Sequence, residues 1–207
     1  WFKAALIKSH DAYVNRAMAY LGLGRDEDAI RDCDEALRLA PDTAAAHYNR
    51  GLARHNRADH PGAISDFDAA IRLDPGYGKA HYNRGLTRLV LKHYAAARDD
   101  FAAARRLTPD HAMAHVMEAF VLACCPDAAL RDEPRAVELA ARACELTGGK
   151  EFYPLAALAA AHAECGRFDE AVRLALRAEA VAADGQKADV RKDLALYRAG
   201  KPARDDR

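Results

Sequence analysis

Three stretches, Ala12–Gly22 (AYVNRAMAYLG), Ala46–Asn56 (AHYNRGLARHN) and Ala80–Val90 (AHYNRGLTRLV), lie 34 residues apart and read almost alike. Each is followed at one offset by a second related stretch: DAIRDCDEALRLAP (28–41), GAISDFDAAIRLDP (62–75) and AARDDFAAARRLTP (96–109). A unit this small cannot bury its own apolar face. It has to stack on a neighbour, so the period decides the architecture before any propensity does.

Within the second copy, spacing predicts a helix over 45–57 and another over 61–73, with Pro61 in a first turn and Asp74-Pro75 closing the segment. Ile64, Phe67 and Ile71 form the i, i+3, i+7 stripe of a half-buried helix. Small residues recur where two helices must approach: Ala17, Gly51 and Gly85 on the first helix, and Ala29, Ala63 and Ala97 with Ala36, Ala70 and Ala104 on the second.

Composition narrows the function. Lys plus Arg and Asp plus Glu both number 31, so no global basic field argues for nucleic acid. No apolar run approaches the ~18 residues of a membrane span, and no leader pattern opens the chain. Residue 1 is Trp, which leads us to expect a start inside a longer polypeptide or after processing. Five cysteines, Cys33, Cys124, Cys125, Cys144 and Cys165, lack C-x-x-C spacing and read as reduced thiols of a cytoplasmic chain.

These residues resemble the tetratricopeptide repeat family, whose helix-turn-helix unit is 34 residues long. The resemblance rests on the small residue of the first helix, the turn glycine (Gly24, Gly166), the alanines and aromatic of the second helix, and the closing prolines Pro41, Pro75 and Pro109. Ala58 and Lys92 depart from the turn glycine. Arg54 and Arg88 depart from the buried tyrosine that survives as Tyr20. Two degenerate copies follow, the fourth carrying a five-residue insertion within CCPDAALRDEP. The stretch 125–158 is similar to a C-terminal module of bacterial members, planctomycete ones in particular.

The resemblance implies an all-α, right-handed α-solenoid of about five hairpins with a C-terminal capping helix. The expected divisions are a stub or the end of a preceding helix at 1–9, repeats at 10–43, 44–77, 78–111, 112–151 and 152–183, a capping helix at 184–199 and a charged, disordered tail at 200–207. Val190, Leu194 and Tyr197 are placed to form the buried face of that cap.

Arg16, Arg50 and Arg84 share one position, as do Asp32, Asp66 and Asp100. In the fourth and fifth copies both change together, to Glu118 with Leu139 and to Leu158 with Leu174. Such paired change predicts an ion-pair ladder that sets stacking register, in preference to an anion-binding row.

In the family the first helices line a concave groove. That places Asn15, Asn49 and Asn83 one repeat apart beside Tyr48, Tyr82, Met18, Leu52, Leu86 and Lys79, with Met113, Val116, Met117 and Phe120 in the fourth copy. An amide can donate to and accept from an extended peptide at once, so a partner protein segment is the expected ligand. The other reading has the asparagines bonding the neighbouring helix. The family's carboxylate clamp for acidic tails is met only at Asn49 and Lys79, because Val14, Met18 and Asn83 stand where lysine, asparagine and arginine are needed.

His47, His81 and His115 share a packing position, and no nucleophile–base pair, phosphate loop or metal-ligand motif is present. The expected function is therefore a non-catalytic protein-binding scaffold without cofactor or metal, binding neither nucleic acid nor membrane. The alternative is a regulatory or substrate-recruiting region of a larger enzyme, a kinase or protease, encoded upstream. A helical-repeat RNA binder is the third reading.

Overall fold

The computed structural model describes residues 2–203, with side chains from His10 onward. Trp1 and residues 204–207, the end of the expected tail, lie outside the described residues. Among the described residues the chain is all helical: α1 (Phe2–Gly22), α2 (Asp26–Leu39), α3 (Ala44–Asn56), α4 (His60–Leu73), α5 (Gly78–Val90), α6 (Tyr94–Leu107), α7 (Ala112–Cys124), α8 (Glu133–Leu146), α9 (Phe152–Glu164), α10 (Phe168–Val181) and α11 (Asp184–Arg198). Residues 2–9 belong to the same helix as the first repeat. Successive helices pack as hairpins in two compact units, 1–107 and 108–207.

In the first unit α1, α3 and α5 lie side by side, each paired with the helix that follows it. The seam depends on size matching. At Gly51 an added Cβ would stand 2.8 Å from Cε1 of Phe67, and at Gly85 it would stand 2.8 Å from Cε1 of Phe101. Both rings are fully buried. In the first repeat the helix carries Ala17 and the ring is replaced by Cys33, also fully buried, so the smaller partner leaves room for the methyl.

The turns after α1, α3, α5 and α9 end in one motif. Gly24, Ala58, Lys92 and Gly166 all have positive φ (68°, 62°, 59° and 72°). The following residue donates its N–H to the carbonyl five positions back: Arg25 to Tyr20, Asp59 to Arg54, His93 to Arg88 and Arg167 to His162, at 2.8–2.9 Å. This is a Schellman closure, which satisfies carbonyls that the helix end leaves open. Two side-chain-bearing residues are thus held in the left-handed region because the closure requires it.

Helix starts follow the sequence signals where these exist. Asp59 accepts from Gly62 N at 3.0 Å ahead of Pro61, and Asp132 accepts from Arg135 N at 3.0 Å ahead of Pro134. In the second unit the insertion forms a short 3-10 turn at Ala128–Leu130, pinned by Asp132 N to Leu122 O (2.9 Å) and by Arg131 Nη1 to Cys125 O (3.1 Å). The last helix, α11, buries Val190, Leu194 and Tyr197 against α9 and α10, the three residues that spacing assigned to the face of a cap.

Candidate functional site

The charge ladder is the most regular feature of the first unit. Arg16 Nε and Nη2 donate to the two Asp32 oxygens at 2.6 and 2.7 Å, a bidentate pair between the helices of one hairpin. Arg50 meets Asp66 (Nη2–Oδ1 2.7 Å) and Arg84 meets Asp100 (2.6 Å) in the same way. Two further layers were not anticipated from sequence. Arg50 Nη1 reaches back to Asp34 at 2.6 Å and Arg84 Nη1 to Asp68 at 2.5 Å, tying each repeat to its predecessor. Arg54 and Arg88, at the tyrosine position, each give Nη1 to the same buried aspartates at 2.8 and 2.7 Å.

Burial opposes the charge on Arg50 and Arg84, yet their carboxylate partners hold both guanidinium pKa values above the ordinary arginine value. Arg50 and Arg84 are each held by two carboxylates, which leaves no row of open cations for an anionic ligand.

The histidines of the packing position are joints as well. His47 Nε2 lies 3.2 Å from Pro41 O and His115 Nε2 lies 2.9 Å from Pro109 O. Nδ1 of His47 and of His81 lie 3.4 and 3.5 Å from Asp66 and Asp100. No cluster of three or more metal-ligating side chains exists among the described residues, and all five cysteines are free thiols.

The sequence-selected groove residues fall in both units. In the second unit, Met117 and Phe120 are half-buried on α7, with Phe120 packed on the core formed by α7, α8 and α9. Met113, half-buried, and Val116, buried, lie on the same helix, and the remaining ones lie in the first unit on α1, α3 and α5. Asn49 is buried, and its Nδ2 donates to Val14 O at 3.2 Å across the α1–α3 joint. Asn83 Nδ2 donates to Tyr48 Oη at 3.1 Å and to Lys79 O at 2.9 Å. Asn15 is exposed.

Tyr48 is fixed by Tyr77, at 4.9 Å between ring centroids, and by Phe67; Tyr82 stacks near Phe101. Burial pushes the Tyr48 phenol up to about 12, so it stays a neutral hydrogen-bonding group. Met18 is 60% exposed, Leu52 and Leu86 are half-buried at the equivalent positions, and Lys79 is exposed. The face therefore offers aliphatic side chains between fixed tyrosines, while two of the three asparagines have their amide nitrogens engaged in the joints.

The tetratricopeptide repeat family model matches residues 14–78, the stretch that contains the first two ladder rungs and the Asn49 joint. The chain matches the tetratricopeptide family in that stretch. The fold of tetratricopeptide proteins extends over most of its length. The structure is similar to MamA (residues 41 to the end) from Desulfovibrio magneticus RS-1, with TM-score 0.71 and 21% identity, covering 84% of this chain and 94% of that one. It is also similar to YrrB, described as a tetratricopeptide protein with an unusual peptide-binding site (TM-score 0.69, 20% identity, 87% and 90% covered). A third likeness is to TTC0263, a thermophilic tetratricopeptide protein of Thermus thermophilus (0.64, 18%, 92% and 99%). No curated protein matches the chain in sequence. At these identities the likeness is one of fold. No helix among the described residues is long and apolar enough to cross a membrane.

Proposed function

We propose that the chain is a non-catalytic cytoplasmic scaffold, and that the face of α1, α3 and α5 binds a segment of a partner protein chiefly through apolar contacts. The observation that carries this reading is the contrast along that face. Its arginines are neutralised in the ladder, whereas Met18 and Val90 stand 60% and 57% exposed and Leu52 and Leu86 lie half-buried beside Tyr48 and Tyr82. Apolar area bordered by a few fixed polar groups is what a peptide-binding surface needs.

Among proteins of similar fold, YrrB is described with a peptide-binding site, and the first tetratricopeptide domain of Spaghetti (RPAP3; TM-score 0.53, 22% identity, covering 55% of this chain and 90% of that one) was solved bound to the HSP90 peptide SRMEEVD. An acidic tail of that kind is a poor ligand here. Lys79 is the one lysine at a clamp position, and Asn83 is engaged with Tyr48. Asn15, Asn49 and Asn83 are retained as residues of this face, with Asn49 and Asn83 shaping the surface and Met18, Leu52 and Leu86 supplying the contact.

The test is selection of extended peptides from a displayed library on the immobilised chain, followed by titration of the selected peptide into isotopically labelled protein. Shifts centred on Met18, Leu52 and Leu86, and binding weakened at least tenfold by Leu52→Glu with unchanged helicity, are the expected results. Selection of acidic C-terminal tails, or shifts confined to α2, α4 and α6, would reject the reading.

A further inference from the structure

Met18, Leu52 and Leu86 mark one line along α1, α3 and α5, which lie side by side. On each helix the residues seven, four and three places before that line, and three and four places after it, fall within about 60° of it around the axis. Those places hold small, aliphatic and aromatic residues, the asparagines and His55, and the charged side chains among them are Asp11 and Lys79 alone. Burial holds the His55 pKa below its ordinary value, so this ring adds no charge near neutral pH. Asp11 and Lys79 occupy the same place in the first and third repeats, with Ala45 between them in the second. The Asp11 side chain is 64% accessible, and its partner among the described residues is His10 Nε2 at 3.3 Å. Lys79 is exposed, and its ammonium has no ion-pair partner among the described residues. The ladder guanidiniums of Arg50 and Arg84 are by contrast each held by two carboxylates. An apolar face is thus marked by one open anion on α1 and one open cation on α5.

Resting on the apolar reading of this face, we propose that its ligand is an extended protein segment of mixed charge, with a cationic side chain over Asp11 and a carboxylate over Lys79. Four or five small or apolar residues separate the two charges. The interval follows from helix packing. Neighbouring helix axes stand about 8–10 Å apart, so α1 and α5 are separated by roughly 16–20 Å. An extended chain rising about 3.3 Å per residue crosses that distance in five or six steps. Midway it meets Ala45, Tyr48 and Leu52, which offer no charge. Charge complementarity here selects the partner and its register more than it adds affinity, because exposed pairs contribute little each. A segment acidic at both places sets like charge against Asp11, and one basic at both sets like charge against Lys79.

The test displays four peptide libraries, each with five central positions randomised among small and apolar residues. The flanks are Lys and Glu, Glu and Lys, Lys and Lys, or Glu and Glu, and each library is selected on the immobilised full chain at low salt. Enrichment is expected from the mixed libraries, in one chain direction or both. A selected mixed peptide should bind about threefold or more tighter than its like-charged versions, and the difference should vanish at about 1 M salt. Asp11→Lys should move the preference to the Glu and Glu flanks, and Lys79→Glu to the Lys and Lys flanks, each with unchanged helicity. Equal selection from all four libraries, with shifts in labelled protein at Met18, Leu52 and Leu86, would overturn the charge assignment and leave the apolar surface standing. Selection of like-charged flanks by the unaltered chain would overturn it too. Enrichment from none of the libraries, or shifts away from these three residues, would overturn both.

Discussion

Nη1 of Arg54 lies 2.8 Å from Oδ2 of Asp66, the carboxylate that Arg50 of the same helix already grips through Nε and Nη2. One buried carboxylate is therefore held by two guanidiniums four residues apart on one helix face, with His47 as a third neighbour. The arrangement recurs around Asp100 with Arg84, Arg88 and His81. In the first repeat Tyr20 stands where Arg54 and Arg88 stand later, and Arg16 and Arg25 lie over its ring at 6.0 and 4.5 Å.

Redundancy of this kind predicts non-additive mutants. Arg50→Leu and Arg54→Leu each leave Asp66 one guanidinium, and each should cost about 1–2 kcal/mol. The double variant strands a buried carboxylate and should cost about 3–5 kcal/mol, more than the sum of the singles. Urea unfolding of the four proteins closes the cycle; a double effect equal to the sum would show that the two arginines act independently.

Packing at Gly51 gives a second test. A methyl there meets the Phe67 ring at 2.8 Å, so Gly51→Ala should destabilise by about 1–3 kcal/mol through overpacking, despite alanine's better helix propensity. The first repeat already carries the compensated pair, Ala17 with Cys33. Gly51→Ala in a Phe67→Cys background should accordingly be neutral or stabilising, and a calorimetric melt of the two backgrounds decides it.

The strained turns can be relieved. Ala58 and Lys92 hold φ near 60°, where an L side chain costs about 1–2 kcal/mol and glycine carries no such penalty. Glycine also adds about 0.4–1 kcal/mol of unfolded-state freedom. Ala58→Gly and Lys92→Gly should therefore each raise stability by up to about 1 kcal/mol. A loss of melting temperature in both would contradict the assigned turn conformation.

Mild acid should weaken the fold. Burial lowers the pKa of His55, His81 and His162 below the ordinary value of 6.5, assisted by His60, Arg84 and Arg167 respectively, while Asp100 partly offsets the shift at His81 and Glu170 that at His162. With native values depressed, the unfolded chain takes up protons first as pH falls. Stability is then fully present above about 6.5 and declines as pH drops through the lower native values. Melting temperature should fall between pH of about 7 and about 5, and the fall should be smaller in His81→Gln. A flat profile over that interval would contradict the lowered values.

The 34-residue period, the hairpins, the ladder partners and the buried face of the last helix were all legible in the chain. Each is written as a residue type recurring at a fixed interval, and a recurring type at a helical spacing has few geometric solutions. The second arginine of each cluster, the backward reach to Asp34 and Asp68, and the left-handed turns at Ala58 and Lys92 were not legible. Arg54 and Arg88 read as the loss of a packing tyrosine, and only the approach of the two helices shows that a long cationic side chain reaches the same buried carboxylate. The asparagines illustrate the same division. Sequence placed them one repeat apart but left open whether they bond a ligand or a neighbouring helix, since an amide serves either. The helix separation settles the geometry, bringing Val14 O within 3.2 Å of Asn49 and Tyr48 Oη within 3.1 Å of Asn83. Among the described residues, Asn15 is exposed. Periodicity determines which residues are equivalent, and only the packed structure decides which equivalents find a partner, because that depends on distances across helices that no one-dimensional spacing records.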